Sequence, residues 1–224
     1  MRATMAPALI AALLFSSHAP AAEHSFDSGG VKIHYLDEGK GEPVVLLHGF
    51  AASAEELWVK MPFAETQVLP ELAKEFRVIA PDLRGHGKSG KPHDPKMYGK
   101  EMAEDVIRLL DHLKIEKAHV VGYSLGAMVA GKLLAAHPDR LLSVTFGGGA
   151  PYFRRSEALD AAVLATAESL EQGKGIGPLV IFLTAEGQPK PSPEQAALVS
   201  KVFLAGKDQK ALAAVLRGGQ GLAV

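Results

Sequence analysis

The chain has 224 residues, of which 47% are hydrophobic and 22% charged, and its formal net charge is −1. This length allows one well-buried core with a small appendage, and the balanced charge excludes the concentrated basic surface that nucleic-acid binding requires. The absence of cysteine excludes disulfides, a cysteine nucleophile and thiolate metal sites.

The first residues have the pattern of a secretory signal peptide. Arg2 is the only charge before Glu23, residues 5–15 form an apolar run, and the small residues 19–22 lead into polar sequence. A positive start, a short apolar core and an A-x-A pattern are typical of such peptides, and the run is too short to span a bilayer as a helix. We expect residues 1–21 to be removed and the mature chain to be periplasmic or secreted, without stable membrane insertion. The alternative is a disordered or buried start of the domain.

Short β-rich runs are spaced along residues 22–150. They are predicted at residues 31–36, 44–47, 76–80, 118–121 and 141–146. The first run alternates between apolar and polar residues, as in a half-exposed strand. The other runs are almost continuously apolar, which favours buried strands of a parallel sheet.

Two helices are predicted between these strands. In the first, apolar residues recur at i, i+3, i+4 and i+7 from Ala103 to Leu110, with Asp105 and Asp111 on the opposite, polar face. The second begins directly after Ser124 and ends near His137. Alternation of buried strands and helices predicts an α/β fold with a doubly wound, mostly parallel sheet and helices on both faces.

The alternation stops at Pro151. Helices are predicted over residues 155–172, 193–205 and 209–217, and residues 179–184 form a short apolar run. No strand clearly returns to the sheet. We therefore divide the mature chain into a core, residues 22–150, and a helical cap-like region, residues 151–224.

The strongest motif is Gly122-x-Ser124-x-Gly126, between a predicted strand and a predicted helix. In a nucleophile elbow, a serine on a strained strand-to-helix turn projects its hydroxyl above the carboxyl edge of the sheet. Glycines two residues to either side let neighbouring backbones pass closely. The alternative for Ser124 is a serine that merely caps the helix.

An oxyanion hole needs two donors aimed at the oxygen that becomes negatively charged. The N–H of Leu125 is one candidate, and the N–H of Phe50, in the loop after an earlier strand, is the other. The Phe50 ring and Tyr123 are predicted to line the substrate pocket. For His48 in the same loop, a structural hydrogen bond is favoured over a catalytic role.

These pieces together resemble the α/β-hydrolase superfamily, in particular its single-domain esterase, epoxide-hydrolase and haloperoxidase-like members. The resemblance runs from about residue 31 to residue 151 and rests on three blocks in a fixed order, residues 44–50, 82–89 and 122–126. It implies that Ser124 is the nucleophile and that Phe50 and Leu125 supply the oxyanion donors. A serine here resembles an esterase, lipase, C–C hydrolase or perhydrolase, since epoxide hydrolases and haloalkane dehalogenases carry aspartate at this position.

The chain departs from this family in its triad partners. The family order is serine, acid, histidine, and His137 is the only histidine after Ser124. At about 1.5 Å per residue along the helix, His137 lies roughly 20 Å from the hydroxyl. Where some relatives carry the acid, this chain has residues 147–149, which are all glycine. We expect a truncated member of the family, in which Asp160, Glu186 and Asp208 belong to the cap-like region.

Two other kinds of site are disfavoured. Gly87-Lys88-Ser89 resembles the end of a phosphate-binding loop, but position 82 is aspartate where that motif needs glycine, and Pro92 and Pro95 follow. The histidines show neither H-x-x-x-H nor H-E-x-x-H spacing, which disfavours a metal site.

Two functions stay open. The first is a serine-dependent hydrolase that acts on a small-molecule acyl substrate such as a carboxylic ester through an acyl-enzyme at Ser124, with no cofactor implied. The second is a catalytically impaired or dead hydrolase-like fragment that acts as a binding module, since a serine without a base is a poor nucleophile.

Overall fold

The computed structural model describes residues 21–61, 65–151 and 156–224. Within them six strands form one sheet, in the spatial order β1-β2-β4-β3-β5-β6. The strands are β1 Ala22–Ser28, β2 Val31–Gly39, β3 Pro43–Leu47, β4 Arg77–Pro81, β5 Ala118–Tyr123 and β6 Leu141–Gly147. Residues 1–20 of the predicted signal peptide lie outside the described residues, so that interpretation stays a prediction.

The sheet is mostly parallel. Strands β4, β3, β5 and β6 run parallel to one another, and β2 is antiparallel to both of its neighbours, β1 and β4. Leu47 pairs with Gly122, and Tyr123 pairs with Gly147. This register brings the carboxyl ends of β3, β5 and β6 to the same edge of the sheet, where an α/β site is expected.

Helices follow the strands and complete the α/β architecture. They are α1 Val68–Leu72, α2 Lys100–His112, α3 Leu125–Ala136, α4 Glu157–Glu171, α5 Gly177–Phe182, α6 Pro193–Phe203 and α7 Gln209–Gly218. A π-helical turn spans Glu55–Val59, and 3-10 turns span Pro95–Met97, Pro138–Arg140 and Gly219–Leu222. The predicted helices after residues 100, 124, 155, 193 and 209 are confirmed to within a few residues, and the apolar run 179–184 lies mostly in α5.

Alternating side chains of the sheet enter cores on its two faces. Val45 and Leu47 pack with the apolar sides of α2 and α3 on one face. Val44 and Leu46 pack with Trp58 and helix α1 on the other. The predicted coverage of both faces is therefore confirmed.

Two of the predicted strands differ from the expectation in their exposure. Strand β2 lies between β1 and β4 and buries His34, Tyr35 and Leu36, so it is not half-exposed. Strand β6 is the outer strand of the described sheet, and its Leu142 is 45% exposed, so it is not the buried strand predicted. Strand β1 was not predicted, because only two of its residues are buried and its sequence is polar.

Asp105 corrects the predicted polar face of α2. Its side chain is buried, and the buried Arg84 guanidinium donates to both of its carboxylate oxygens, from Nε at 2.6 Å and from Nη2 at 2.5 Å. Arg84 also donates to Met97 O at 2.5 Å, and Ser28 Oγ donates to Asp105 at 2.5 Å. This network ties the loop after β4 to α2.

After β6 the described chain is helical, and no strand follows within residues 156–224. Helix α7 packs along α4, and a third apolar cluster joins Leu170 of α4 and Leu212 of α7 to Ala51 of the loop after β3. None of the described helices is both long and apolar enough to cross a membrane.

Candidate active site

Ser124 stands at the junction of β5 and α3. It is the N-cap of α3 and has φ 52° and ψ −111°, a conformation that L-residues rarely adopt and that costs on the order of 1–3 kcal/mol. The neighbouring structure holds it there: Ser124 N–H donates to Gly147 O at 2.8 Å, and its own carbonyl accepts from Ala127 N–H at 3.0 Å. The predicted strained bend between strand and helix is therefore present.

The two glycines of the motif are required by close backbone approach. A Cβ on Gly122 would lie 2.2 Å from the carbonyl oxygen of Gly126, and a Cβ on Gly126 would lie 2.1 Å from that of Leu47. Neither position has room for a side chain. The glycines thus let α3 start directly against the ends of β5 and β3, as the motif predicts.

The loop after β3 lies beside the elbow. Ala52 N–H donates to Gly49 O at 3.2 Å and closes a turn in which Ala51 has φ 56°. Gly49 adjoins Ser124, since a Cβ built on Gly49 would lie 3.5 Å from Ser124 Cβ. The turn therefore holds Phe50 next to the serine.

His48 fixes this loop from inside the core. Its Nδ1–H donates to Gly49 O at 2.8 Å, and its Nε2 accepts from Leu83 N–H at 2.9 Å. Complete burial lowers the pKa of His48, so the ring is neutral at pH 7. Both ring nitrogens are engaged, and the structural role predicted for His48 agrees with these bonds.

A cavity of about 110 Å³ lies over Ser124. Its walls are apolar and come from the loop after β3, the start of α3 and helices α4, α5 and α7. The lining residues are Phe50, Ser124, Leu125, Met128, Leu159, Val163, Leu179, Leu183, Val215, Leu216, Gly219 and Leu222. The structure thus brings Ser124, Leu125 and Phe50 together, and among the described residues no hydrogen bond occupies the N–H of Leu125 or of Phe50.

Tyr123 is not among the residues that line this cavity. Its side chain is 44% exposed, and its ring lies over Gly147 and Gly148, where a Cβ on Gly148 would be 2.6 Å from the ring. Alternation along β5 directs Tyr123 away from the side that Ser124 faces. Tyr123 therefore does not line this cavity, and its place in a substrate pocket stays a prediction.

No titratable side chain lines the cavity of Ser124 among the described residues. His137 is bound to Glu104 at the far end of α3, with Nε2 3.0 Å from Oε1. His86 contacts the Phe50 ring at 5.9 Å between centroids, but it does not line the cavity. Burial, together with the neighbouring His48, lowers the pKa of His86 to about 3, so it is a weak proton acceptor.

Residues of the cap-like region and of the other motifs have structural partners. Asp208 caps α7 by accepting from Ala211 N–H, and it binds His93 at 2.9 Å. Asp82 accepts from Ala54 N–H and Lys88 N–H, both at 2.8 Å. Across the described ranges no cluster of three or more histidine and carboxylate side chains could hold a metal ion.

A second serine is hydrogen-bonded to a histidine, far from the elbow. Ser143 of β6 lies 2.7 Å from Nδ1 of His119, whose Nε2 contacts Glu42. Ser143 has extended strand geometry and is exposed. The described structure gives Ser143 no strained turn like that of Ser124.

The comparisons with known proteins agree with this arrangement. A model of the family described as "alpha/beta hydrolase fold" matches residues 42–174. The 2-hydroxymuconate semialdehyde hydrolase of Pseudomonas sp. (strain CF600) is 35% identical over 135 residues, which cover 60% of this chain and 46% of that protein. The soluble epoxide hydrolase of Corynebacterium sp. (strain C12) is 41% identical over 110 residues, which cover 48% of this chain and 34% of that protein. The chain spans less than half the length of these two relatives.

The fold is also similar to solved structures. The structure of the epoxide hydrolase CorEH without ligand superposes with a TM-score of 0.63 at 27% identity, covering 88% of this chain and 73% of that chain. The similarity therefore extends beyond the residues that match the family model.

Proposed function

Since the chain belongs to the α/β hydrolase fold family, we propose that it is a serine-dependent hydrolase of carboxylic esters or related acyl substrates, acting through an acyl-enzyme at Ser124. The observation that carries the proposal is the strained φ of 52° at Ser124, beside a cavity that Phe50 and Leu125 also line. A strained serine at a cavity is expected where the hydroxyl must be held in one position. Serine rather than aspartate at this position favours acyl transfer over epoxide opening.

The reaction uses groups that the cavity brings together. The Ser124 oxygen bonds to the acyl carbon, and the carbonyl electron pair moves onto its oxygen, which accepts hydrogen bonds from the N–H groups of Leu125 and Phe50. The carbon–oxygen bond to the alcohol then breaks, and the alcohol leaves with the serine proton, relayed by water. A second water adds its hydroxyl to the acyl carbon and returns a proton to Ser124, releasing the carboxylic acid.

Helices α4, α5 and α7 have a cap-like role in this proposal. Leu159, Leu179 and Val215 contribute one apolar side chain from each helix to the cavity. These side chains surround the alkyl part of the acyl group and lower the local dielectric constant, which strengthens the polar interactions at the reacting carbonyl.

The binding module remains the second candidate, and it is favoured because none of the described residues that line the cavity is titratable. Loss of a triad member lowers the rate by on the order of 10⁴ to 10⁶. A chain without a base would then bind acyl ligands over Ser124 and turn them over very slowly.

Labelling with a fluorophosphonate probe distinguishes the two candidates. We expect one covalent adduct per chain, located on Ser124 by peptide mass spectrometry, because the held hydroxyl and the two N–H donors favour attack on phosphorus as on an acyl carbon. Ser124→Ala should abolish the adduct.

Ser143→Ala is the matched control, since Ser143 is a serine with a histidine partner. This variant should be labelled like the wild type. An unlabelled wild-type chain that still binds acyl ligands would contradict the hydrolase and support the binding module.

A further inference from the structure

Among the described residues, the cavity over Ser124 offers a negatively charged oxygen only the Ser124 hydroxyl and the N–H groups of Leu125 and Phe50, and no charged side chain lines it. Apart from the Ser124 hydroxyl, its lining side chains are hydrocarbon or thioether, and the Phe50 ring closes one wall. A carboxylate at the far end of the acyl chain would lie beyond these donors, lose its hydration and gain no counter-ion from the described residues, which is strongly unfavourable. An alkyl group would instead bind favourably, because both its own apolar surface and that of the cavity walls are removed from water.

The size of the cavity limits the group that it can hold. An apolar cavity of about 150 Å³ accommodates benzene, and this cavity is about 110 Å³. That volume fits an alkyl chain of roughly four carbons. Leu183 lines the cavity and is 67% exposed, which places it at the mouth.

We infer that the acyl group taken by this site is short, uncharged and apolar, with about four carbons. The inference rests on the proposed function, because it assigns the cavity to the acyl group that Ser124 attacks. Helices α4, α5 and α7 contribute to this selectivity, since they supply five of the twelve lining residues.

Two matched four-carbon acyl groups test the charge selectivity. We expect p-nitrophenyl butyrate to acylate the wild-type chain at least about 100-fold faster than the p-nitrophenyl monoester of succinic acid, and about 10-fold faster than the acetate. Val163→Asp, inside the cavity, should lower the butyrate rate by about 10-fold or more, whereas Leu164→Asp, at the next and exposed position, should not. Equal rates for butyrate and the succinate monoester would overturn the inference.

Binding to Ser124→Ala separates this inference from the proposed function. Saturation-transfer NMR should detect butyramide and not succinamate, since binding requires no reaction. If butyramide alone binds and the wild-type chain is unreactive, the proposed hydrolase function is contradicted, whereas the proposed selectivity for uncharged acyl groups is kept. Equal binding of the two amides would contradict the selectivity for uncharged acyl groups but not the proposed hydrolase function.

A different observation concerns Lys207, between α6 and α7. Its ammonium group donates to Ala51 O at 2.5 Å and to Glu56 Oε2 at 3.0 Å, and it lies 4.8 Å from the centre of the Phe203 ring. Lys207 therefore ties the C-terminal helices to the loop that carries Phe50.

The carbonyl that Lys207 binds belongs to a strained turn. Ala51 has φ 56° in the third position of the turn Gly49–Ala52, where glycine is preferred because a Cβ is disfavoured at positive φ. The bond from Lys207 orients the peptide plane that contains the Ala51 carbonyl and the Ala52 N–H, and this N–H donates to Gly49 O, which shares a peptide plane with the Phe50 N–H. We propose that Lys207 is a positioning residue, which acts through this turn to aim the Phe50 N–H at the acyl oxygen. This proposal also rests on the proposed function.

Lys207→Met tests it, with Lys210→Met as an exposed control on α7. We expect Lys207→Met to lower the limiting rate of labelling by about 10-fold, less than loss of a direct oxyanion donor. The probe concentration at half-saturation should stay constant because the cavity walls are untouched. Lys207→Arg should stay within about 3-fold of the wild type, because its guanidinium can donate to the same carbonyl.

The amide resonance of Phe50 gives a readout that does not require reaction. It should shift in Lys207→Met and not in Lys210→Met. A wild-type limiting rate and an unchanged resonance in folded Lys207→Met would overturn the positioning role. If the wild-type chain is not labelled at all, the proposed function fails, and the resonance alone decides whether Lys207 orders the loop.

Discussion

Asp105→Asn is expected to lower the free energy of unfolding by about 3–5 kcal/mol, as when one partner of a buried ion pair is removed. The side chain keeps its shape but loses its charge. Arg84, 1% exposed, then remains buried with its charge uncompensated and only Met97 O as an undisturbed acceptor. Urea denaturation followed by circular dichroism measures the change, which would be a large part of the stability of an ordinary domain.

Asp111→Asn is the matched control on the same helix. Asp111 is also paired with an arginine, Arg140, at 2.7 Å, but its side chain is 62% exposed. We expect a change of at most about 1 kcal/mol, because Asp111 is exposed and Arg140 keeps two carbonyl acceptors, Glu116 O and Ile115 O. The double variant Arg84→Met/Asp105→Leu should recover most of the loss, since it leaves no buried charge unpaired. Equal effects of Asp105→Asn and Asp111→Asn would contradict the assignment of a buried charge network.

The buried pair also shows where periodicity in a sequence fails as a predictor. The spacing of Ala103, Val106 and Leu110 predicts α2 correctly, because helix period depends on local positions alone. The same pattern placed Asp105 on the solvent side. Its partner Arg84 is remote in sequence, and only the return of the loop after β4 brings the guanidinium against α2. Burial of β2 and exposure of β6 likewise depend on the order of strands, which a run of apolar residues does not encode.

In the candidate active site too, the features set by consecutive residues were predictable and those set by distant residues were not. The elbow was predictable because its glycines, its strained serine and the start of α3 lie within a few consecutive residues. Phe50 was predictable only because the loop after β3 had to end at the same sheet edge. The cavity walls were not predictable, since Leu159, Leu179 and Val215 come from three helices with ordinary amphipathic patterns. Lys207 gave no signal either, because a lysine between two helices usually points into solvent.

Gly126→Ala is the second change with a large expected effect. The new Cβ would lie 2.1 Å from Leu47 O and 2.9 Å from His48 O. Both are backbone atoms at the end of a hydrogen-bonded strand, so no side-chain rotation relieves the overlap. Helix α3 must shift away from β3, and we expect the free energy of unfolding to fall by about 3 kcal/mol, the upper end of the usual cost of overpacking.

Gly219→Ala is the matched control, because it adds the same methyl group at a position where we expect no loss of stability. Gly219 has φ −62° and ψ −13° after α7, and a Cβ there would meet no atom within 4 Å. Its replacement should leave stability unchanged or raise it by up to about 1 kcal/mol, since alanine has less conformational freedom to lose on folding. Urea denaturation of both variants gives their free energies of unfolding. The difference between them separates the effect of the new backbone contact at residue 126 from the effect of replacing a glycine. A melt of Gly126→Ala like that of Gly219→Ala would mean that α3 does not start against the end of β3, and the elbow geometry on which Ser124 depends would then be wrong.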